Sequence, residues 1–249
     1  MAKKWYNYSY VSRKEIRHRI FIFFVLVGLL CILSFLIGTF LVWSVKTGSS
    51  SMTPELLTGD CLMVTPLRSR DSRQDSGEVG GLTGFIQPLR GDMVYVAPLY
   101  PAGMGPVRRF ADAVAGFFTF QRVFPFSDST LMGESSCIRR LIGLPGDTIY
   151  MDNFVLYIRP SGSSYFLTEF ELAENTYDVL ITGLPENWSR ELAFSGTMGE
   201  VVLGDDEYFL LADNRIGPVD SRLWGSVPAS RITGKVFLRY WPPGRFSPL

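Results

Sequence analysis

The stretch Thr47–Asp60, "TGSSSMTPELLTGD", holds three consecutive serines, and a serine hydroxyl is a weak nucleophile unless a neighbouring group activates it. Histidine is the usual base, but the only histidine, His18, precedes a long apolar run. A Ser-His-Asp or Cys-His site and a histidine-ligated zinc site are therefore excluded beyond that run. Another base would be needed, commonly lysine, and no lysine occurs between Thr47 and Gly234. A run of serines is also typical of a flexible linker.

The apolar run Ile20–Val45 carries no charge and would extend roughly 39 Å as a helix, longer than the ~30 Å hydrocarbon core of a membrane. We expect a transmembrane helix over 20–45, with a soluble buried helix as the alternative. Trp43 and Lys46 would lie at the membrane interface. The residues before Ile20 are mainly basic, which places a tail of residues 1–19 in the cytoplasm and residues 46–249 outside. These basic residues are Lys3, Lys4, Arg13, Lys14, Arg17 and Arg19.

The charge balance and the cysteine spacing limit which partners and ligands we expect. The 24 basic residues balance 24 acidic ones, so the charge gives no reason to expect a nucleic-acid partner. No metal-ligand spacing occurs, and we expect neither metal nor cofactor. Cys61 and Cys137 would face an oxidising space, where they either pair as a disulfide or remain two isolated thiols.

The segment after residue 46 has the pattern of a mainly β domain. Its short apolar runs, such as "DMVYVAPL", "CIRRLIGL" and "EYFLLAD", are separated by Gly, Pro and Asp. One stretch differs, because five phenylalanines lie between residues 117 and 126. This Phe-rich stretch would either join the core or dip into the bilayer surface.

Four motifs, in order behind the apolar run, resemble those of type I signal peptidases. They are "SSSMTPELLTGDCLMV", "RGDMVYV" at 90–96, "IRRLIGLPGDTIY" at 138–150 and "ADNRIGPVDSRLWGSVP" at 212–228. The resemblance implies a mainly β, signal-peptidase-like catalytic core with a smaller β cap around residues 150–200, tethered by one N-terminal transmembrane helix. It also implies a membrane-bound serine endopeptidase that cuts signal peptides from exported preproteins at the outer face of a bacterial inner membrane, with membrane lipid as its surroundings.

The resemblance assigns roles to individual residues. Ser51 aligns with the nucleophile, and Ser49 with the serine whose hydroxyl helps to form the oxyanion hole. Met52 and Ile138 are expected to line the substrate pocket, although both are equally suited to the core. Four charged residues would hold the active-site loop or, alternatively, form ordinary surface ion pairs: Arg140, Asp213, Asp220 and Arg222.

The sequence departs from the family pattern at the base. Arg139 occupies the position of the family's general-base lysine, Ala212 replaces a glycine and Pro218 replaces the serine that supports the lysine. A free lysine has a pKa near ~10.4 and a free arginine one of ~12.5–13.8, so an arginine is far harder to convert into a base. We therefore do not expect Arg139 to deprotonate Ser51.

Three functional interpretations stay open. The chain is an endopeptidase with an atypical arginine, a protease dedicated to one substrate, or a catalytically impaired homologue that binds signal peptides or membrane proteins, partnered with an active paralogue. Lys235, in the last strand, is expected to have a structural role.

Overall fold

The structure, a computed structural model, describes residues 15–29, 42–70, 81–84, 88–97, 105, 107–108, 111–112, 114–115, 123, 125–126, 137–181, 196–216 and 219–249. The chain divides into two compact units, residues 1–42 and residues 43–249.

The described part of the first unit is one helix, α1, over residues 15–29. Its large apolar side chains are between 42% and 66% exposed all around the helix. None of the helices within the described residues combines the length and the apolarity that a membrane crossing needs. Of the predicted span, residues 20–29 are helical. Residues 30–41 lie outside the described residues.

The second unit begins with a correction to the predicted span. Trp43–Lys46 is a strand, β1, which pairs antiparallel with β2, Cys61–Arg70. Trp43 packs against buried apolar residues and meets the ring of Tyr95 edge-on, with centroids 6.0 Å apart, and Val45 is buried. Alternate residues of a strand share a face, so Trp43 and Val45 both contact the core. The prediction that the helix continues to Val45 is wrong, because Trp43–Lys46 is a strand. The placement of Trp43 and Lys46 at a membrane interface stays a prediction.

The prediction of a mainly β fold is confirmed. Nine strands form the larger sheet in the path β1-β2-β12-β4-β5-β10-β11, with β3 beside β2 and β13 beside β12, and all of these pairs are antiparallel. The remaining strands of this sheet are β3 (Gly81–Gly84), β4 (Met93–Val96), β5 (Cys137–Gly143), β10 (Glu207–Leu211), β11 (Val227–Pro228), β12 (Ile232–Trp241) and β13 (Ser247–Pro248).

A smaller antiparallel sheet, in the order β8-β7-β6-β9, has its strands in and beside the segment predicted as a cap. Its strands are β6 (Thr148–Asp152), β7 (Val155–Arg159), β8 (Leu167–Thr168) and β9 (Met198–Val202). Asn153 and Phe154 join β6 to β7 with positive φ at both positions, which suits a tight two-residue hairpin. A short helix, α2 (Glu169–Leu172), follows β8. Ile142, Ile149 and Phe209 belong to one buried cluster that both sheets share.

Two further sequence predictions concern the two cysteines and the Phe-rich stretch. Cys61 and Cys137 are free thiols, so they do not form a disulfide. Most of the Phe-rich stretch lies outside the described residues. Within it, Val123 and Phe126 are roughly half exposed, and Arg108 stands over the Phe126 ring at 5.7 Å.

The packing of β1 predicts the effect of adding one methyl group. A Cβ at Gly234 would overlap Cγ1 of Val64 and lie 2.8 Å from Cζ2 of Trp43. We expect Gly234→Ala to lower the free energy of unfolding by about 1–3 kcal/mol through overpacking. Gly199→Ala is the matched control, because a Cβ there has no neighbour within 4 Å. Chemical denaturation of both variants measures the difference, and equal losses would contradict the packing of Trp43 on β12.

Candidate active site

The turn that carries Ser51 is closed by its own backbone. The amide of Thr47 donates to Asp60 O at 2.9 Å and that of Gly59 donates to Thr47 O at 3.0 Å, which brings the two ends of the segment together. Between them, the amide of Leu56 donates to Met52 O at 2.8 Å, and both side chains are buried. The apolar anchors fix the turn, and they leave the Ser51 side chain between the turn and β5.

Ser51 Oγ has two polar neighbours among the described residues. Arg139 Nη1 donates to it at 2.9 Å, and Ser49 Oγ lies 3.0 Å away. Because arginine can only donate, the hydroxyl proton of Ser51 is free to point at Ser49. The backbone of Ser51 is fixed as well, since the amide of Asn214 donates to Ser51 O at 3.0 Å. The structure thus brings together Ser49, Ser51 and Arg139, the three residues that the motif resemblance predicted to form the site.

The Arg139 guanidinium is enclosed by carbonyl groups. Nε and Nη2 donate to Val219 O at 3.1 and 2.8 Å, and Nη1 also donates to Ile138 O at 2.7 Å. The side chain is 2% exposed, and its Cζ lies 5.6 Å from the centre of the Trp224 ring. In the part of the chain that the structure describes, no carboxylate pairs with it.

This geometry suits charge stabilisation and does not suit proton removal. A guanidinium has five donors and no acceptor, so it has no lone pair for the Ser51 proton. A buried cation next to Oγ favours negative charge on that oxygen or on an oxygen bonded nearby, because the attraction is strong where water is excluded.

Met52 and Ile138, the predicted pocket residues, lie in one buried apolar cluster with Leu56, Met93 and Tyr95. Met93 also lines a cavity of about 460 Å³, to which Glu55, Asp92, Arg140, Tyr177 and Leu249 contribute. Met52 and Ile138 do not line this cavity. Their location in the cluster shows a packing role, and their contact with substrate stays a prediction.

The four predicted supporting residues form two buried ion pairs rather than surface pairs. Arg140 donates to both carboxylate oxygens of Asp213, at 2.7 and 2.5 Å, and Arg222 donates to both oxygens of Asp220, at 2.9 and 2.8 Å. Asp220 also accepts the amide of Ala212, at 3.1 Å. Burial raises the pKa of the Asp213 carboxyl, and the hydrogen bonds and charge of Arg140 limit that rise. These pairs fix both ends of the loop from 212 to 222.

Sequence reasoning missed a third pair, which joins this loop to α2. Arg215 Nη2 lies 2.6 Å from Glu169 Oε2, both residues are fully buried, and Tyr177 donates to the same oxygen at 2.7 Å. Burial lowers the pKa of Arg215, but the charge and hydrogen bond of Glu169, together with Tyr177 and Asp220, outweigh burial and raise the pKa overall. Burial and the same carboxylate raise the pKa of Tyr177, so its hydroxyl stays a donor. The Thr168–Glu171 capping box marks the start of α2 in sequence, but no local pattern indicates the partner of Glu169.

Other residues named in the sequence analysis have different partners or lie outside the described residues. Lys235 Nζ pairs with Asp92 Oδ2 at 2.6 Å. Pro218 lies outside the described residues, although the adjacent Val219 contacts Arg139. No group of acidic, cysteine or histidine side chains among the described residues could hold a metal ion.

Residues 19–241 match the model of the family described as signal peptidase, peptidase S26. The chain belongs to that family. Because the match covers β1, β5 and the loop from 212 to 222, the site lies within the part that this peptidase S26 chain shares with its family.

Several curated proteins are similar to this peptidase S26 chain over a shorter region. The probable signal peptidase I-2 of Synechocystis is 33% identical over 108 residues, 43% of this chain and 39% of that protein. The signal peptidase I of Bacillus caldolyticus is 32% identical over 111 residues, 44% and 56% of the two chains. The signal peptidase I of Streptococcus pneumoniae is 29% identical over 129 residues, 44% and 63% of the two chains. The matched region thus spans 39% to 63% of these relatives.

The buried Arg215–Glu169 pair generates a stability prediction for this family member. Glu169→Ala leaves the Arg215 guanidinium buried without its carboxylate, so we expect a loss of about 3–5 kcal/mol in the free energy of unfolding. Glu171→Ala is the matched control on the same helix, because Glu171 is exposed and its side chain accepts hydrogen bonds from the cap residue Thr168. Urea denaturation compares the two, and a loss for Glu169→Ala no larger than the control's would contradict the pair's role.

Proposed function

We propose that this chain is a membrane-bound serine endopeptidase that removes signal peptides from exported preproteins at the outer face of the bacterial inner membrane. Ser51 is its nucleophile, and Arg139 stabilises negative charge at the site instead of acting as the base. The observation that carries the proposal is the 2.9 Å contact to Ser51 Oγ from the buried Arg139 guanidinium, which pairs with no carboxylate among the described residues. Membership of the signal peptidase family supports the substrate class.

The energetics of Arg139 favour a site in use. A buried cation without a carboxylate is unfavourable, and among the described residues Arg139 is contacted by carbonyl dipoles and one aromatic ring but by no carboxylate. An anion formed at Ser51 Oγ or on the carbonyl oxygen of a substrate would supply the missing charge. Because the donors are already fixed in place, they stabilise such an anion without reorganising.

In the proposed reaction, Ser51 Oγ bonds to the carbonyl carbon of the scissile peptide, and its proton passes to hydroxide from solvent. The carbonyl electron pair moves to oxygen, where Arg139 and the Ser49 hydroxyl stabilise it. Collapse of this intermediate breaks the C–N bond, and water protonates the departing amine. Water then hydrolyses the acyl-enzyme, which restores the Ser51 hydroxyl and releases the signal peptide.

Substrate and lipid contacts complete the proposal. An extended signal peptide would pair with strand edges near Ser51 and Ile138, and Met52 and Ile138 would select small side chains. The exposed apolar perimeter of α1, preceded by a basic segment, supports contact with membrane lipid.

A second function is favoured by a separate observation. Neither described neighbour of the Ser51 hydroxyl, Ser49 or Arg139, is a general base. A chain without turnover would act as a signal-peptide or membrane-protein binding module, alongside an active paralogue. It would retain an intact preprotein, whereas the endopeptidase releases two products.

The cleavage prediction concerns Arg139. With a preprotein in detergent, we expect slow cutting by the wild type, none by Ser51→Ala, and a fall of at least about 100-fold in kcat/KM for Arg139→Met, the size seen when one oxyanion donor is removed. Arg139→Lys should also lower the rate, because an ammonium cannot reproduce the fork on Val219 O and Ile138 O. The rate should rise about tenfold per pH unit above neutrality, since hydroxide removes the proton and no side chain titrates as the base.

Three results would contradict this assignment. Wild-type cutting no faster than that of Ser51→Ala favours the binding module. Faster cutting by Arg139→Lys shows that a lysine base suits the site better. A pH profile that reaches a plateau near neutrality reveals a titrating base. Binding of the preprotein by Ser51→Ala, measured in parallel, controls for folding.

The membrane placement predicts a protection pattern. Protease added to intact spheroplasts should degrade the unit of residues 43–249 and spare a tag placed on the N-terminal tail, because the basic tail stays in the cytoplasm. Lysed spheroplasts are the control, in which both parts are degraded. Protection of residues 43–249 in intact spheroplasts would contradict the placement.

A further inference from the structure

Residues 242–249 follow β12, beyond the end of the family match at residue 241, and they contact the turn that carries Ser51. Arg245 Nη2 donates to Glu55 O at 2.9 Å, and Arg245 Nη1 lies 3.1 and 2.9 Å from the two carboxylate oxygens of Asp60. Asp60 Oδ2 also accepts the amide of Leu57 at 3.0 Å. One side chain therefore holds the middle and the end of the turn.

Arg239 of β12 secures the same segment from the sheet. Its Nη1 donates to Glu55 O at 2.5 Å, its Nε to Arg245 O at 2.6 Å and its Nη2 to Ser247 Oγ at 2.7 Å. Ser247 also pairs with Arg239 in the β12–β13 ladder. The Glu55 carbonyl thus receives two guanidinium groups, one from the sheet and one from residues 242–249.

An apolar contact also joins residues 242–249 to the Ser51 turn. Leu249 packs against the cluster that contains Met52, Leu56 and Ile138, and its amide donates to Phe237 O at 3.1 Å. Residues 242–249 therefore touch the Ser51 turn at its backbone, at its carboxylate and at its buried side chains.

We propose that residues 242–249 form a strap that holds the Ser51 turn in its reactive position, with Arg245 as a positioning residue. This inference rests on the proposed function for its catalytic part. The turn's position determines where Ser51 Oγ lies relative to Arg139, and a displacement of about 1 Å at a nucleophile can cost about 100-fold in rate. Arg245 is suited to such a role because its side chain is 30% exposed, and without it the buried Asp60 carboxylate still accepts the Leu57 amide and lies 3.8 Å from Arg239 Nη1.

Hydrogen–deuterium exchange on the full chain tests the structural part without needing activity. In Arg245→Gln we expect the amides of Leu56, Leu57 and Asp60 to exchange about tenfold faster, because the opening of the turn becomes easier. The amides of β6 and β7 should be unchanged. Arg159→Gln is the matched control, because Arg159 is a half-buried arginine of the smaller sheet that stands over Phe166. Arg245→Lys, which keeps the charge but loses the fork, should lie between wild type and Arg245→Gln.

Preprotein cleavage tests the catalytic part. Arg245→Gln should lower kcat about 10- to 100-fold with KM within about twofold, since substrate contacts remain while the nucleophile moves. Adding Arg245→Gln to Asp60→Asn should have little further effect, because the two residues act as a unit.

The outcomes separate the strap from the proposed function. Unchanged exchange in the turn, or the same change in Arg159→Gln, overturns the strap whatever the cleavage assay shows. Faster exchange together with a wild type that does not cut supports the strap and refutes the endopeptidase. Faster exchange with unaltered kcat shows that the strap does not position Ser51 for the reaction. If Arg245→Gln fails to fold, exchange in Arg245→Lys decides the first question.

Discussion

The constraint on which the site depends is the burial of the Arg139 guanidinium beside a serine hydroxyl. A cation removed from water needs compensation, and here it comes from two carbonyl groups, a tryptophan ring and Ser51 Oγ. Each of these groups has its own attachment: Ile138 belongs to β5, Val219 to the loop before α3 (Ser221–Trp224), and Ser51 to the closed turn. The three segments must therefore meet at one point, and the rest of the fold serves to bring them there.

Buried ion pairs perform that task where secondary structure is short. The loop from 212 to 222 is tied to β5 by Asp213, to α2 by Arg215 and to itself by Asp220. Replacing such pairs with apolar residues of the same shape would often be neutral for stability, whereas removing one partner is costly. Their use here fixes where the loop lies, because the Arg140 and Arg222 guanidinium groups each donate to both oxygens of one carboxylate, which defines a single geometry. Helix α2, which follows β8 of the smaller sheet, is thereby linked through Glu169 to the loop whose Asn214 amide donates to Ser51 O.

The sequence predicted those parts of the structure that depend on local sequence patterns. Alternation and turn residues indicated the strands, and the motif resemblance placed Ser49, Ser51 and Arg139 together. The failures have longer-range causes. The first three residues of β1 end an apolar run, and only the pairing of β1 with Cys61–Val64 makes them part of a strand. The partner of Glu169 lies 46 positions along the chain, at Arg215, and nothing near either residue identifies it. The sequence did not predict the role of residues 242–249, because that role depends on contacts with Glu55 and Asp60, which are far away in the sequence.

The motif resemblance predicts that Arg139 occupies the lysine position of the family, and the contacts of Arg139 show that a lysine there would change more than the base. A planar guanidinium reaches Val219 O with two nitrogens while a third nitrogen spans Ile138 O and Ser51 Oγ. A single ammonium can occupy one centre of this arrangement and leaves the other carbonyls unpaired. With arginine here, Val219 O and Ile138 O bind the cation, and Ser51 Oγ receives a hydrogen bond from a group that cannot take its proton. Introducing a lysine base would therefore require changes near Val219 as well as at Arg139.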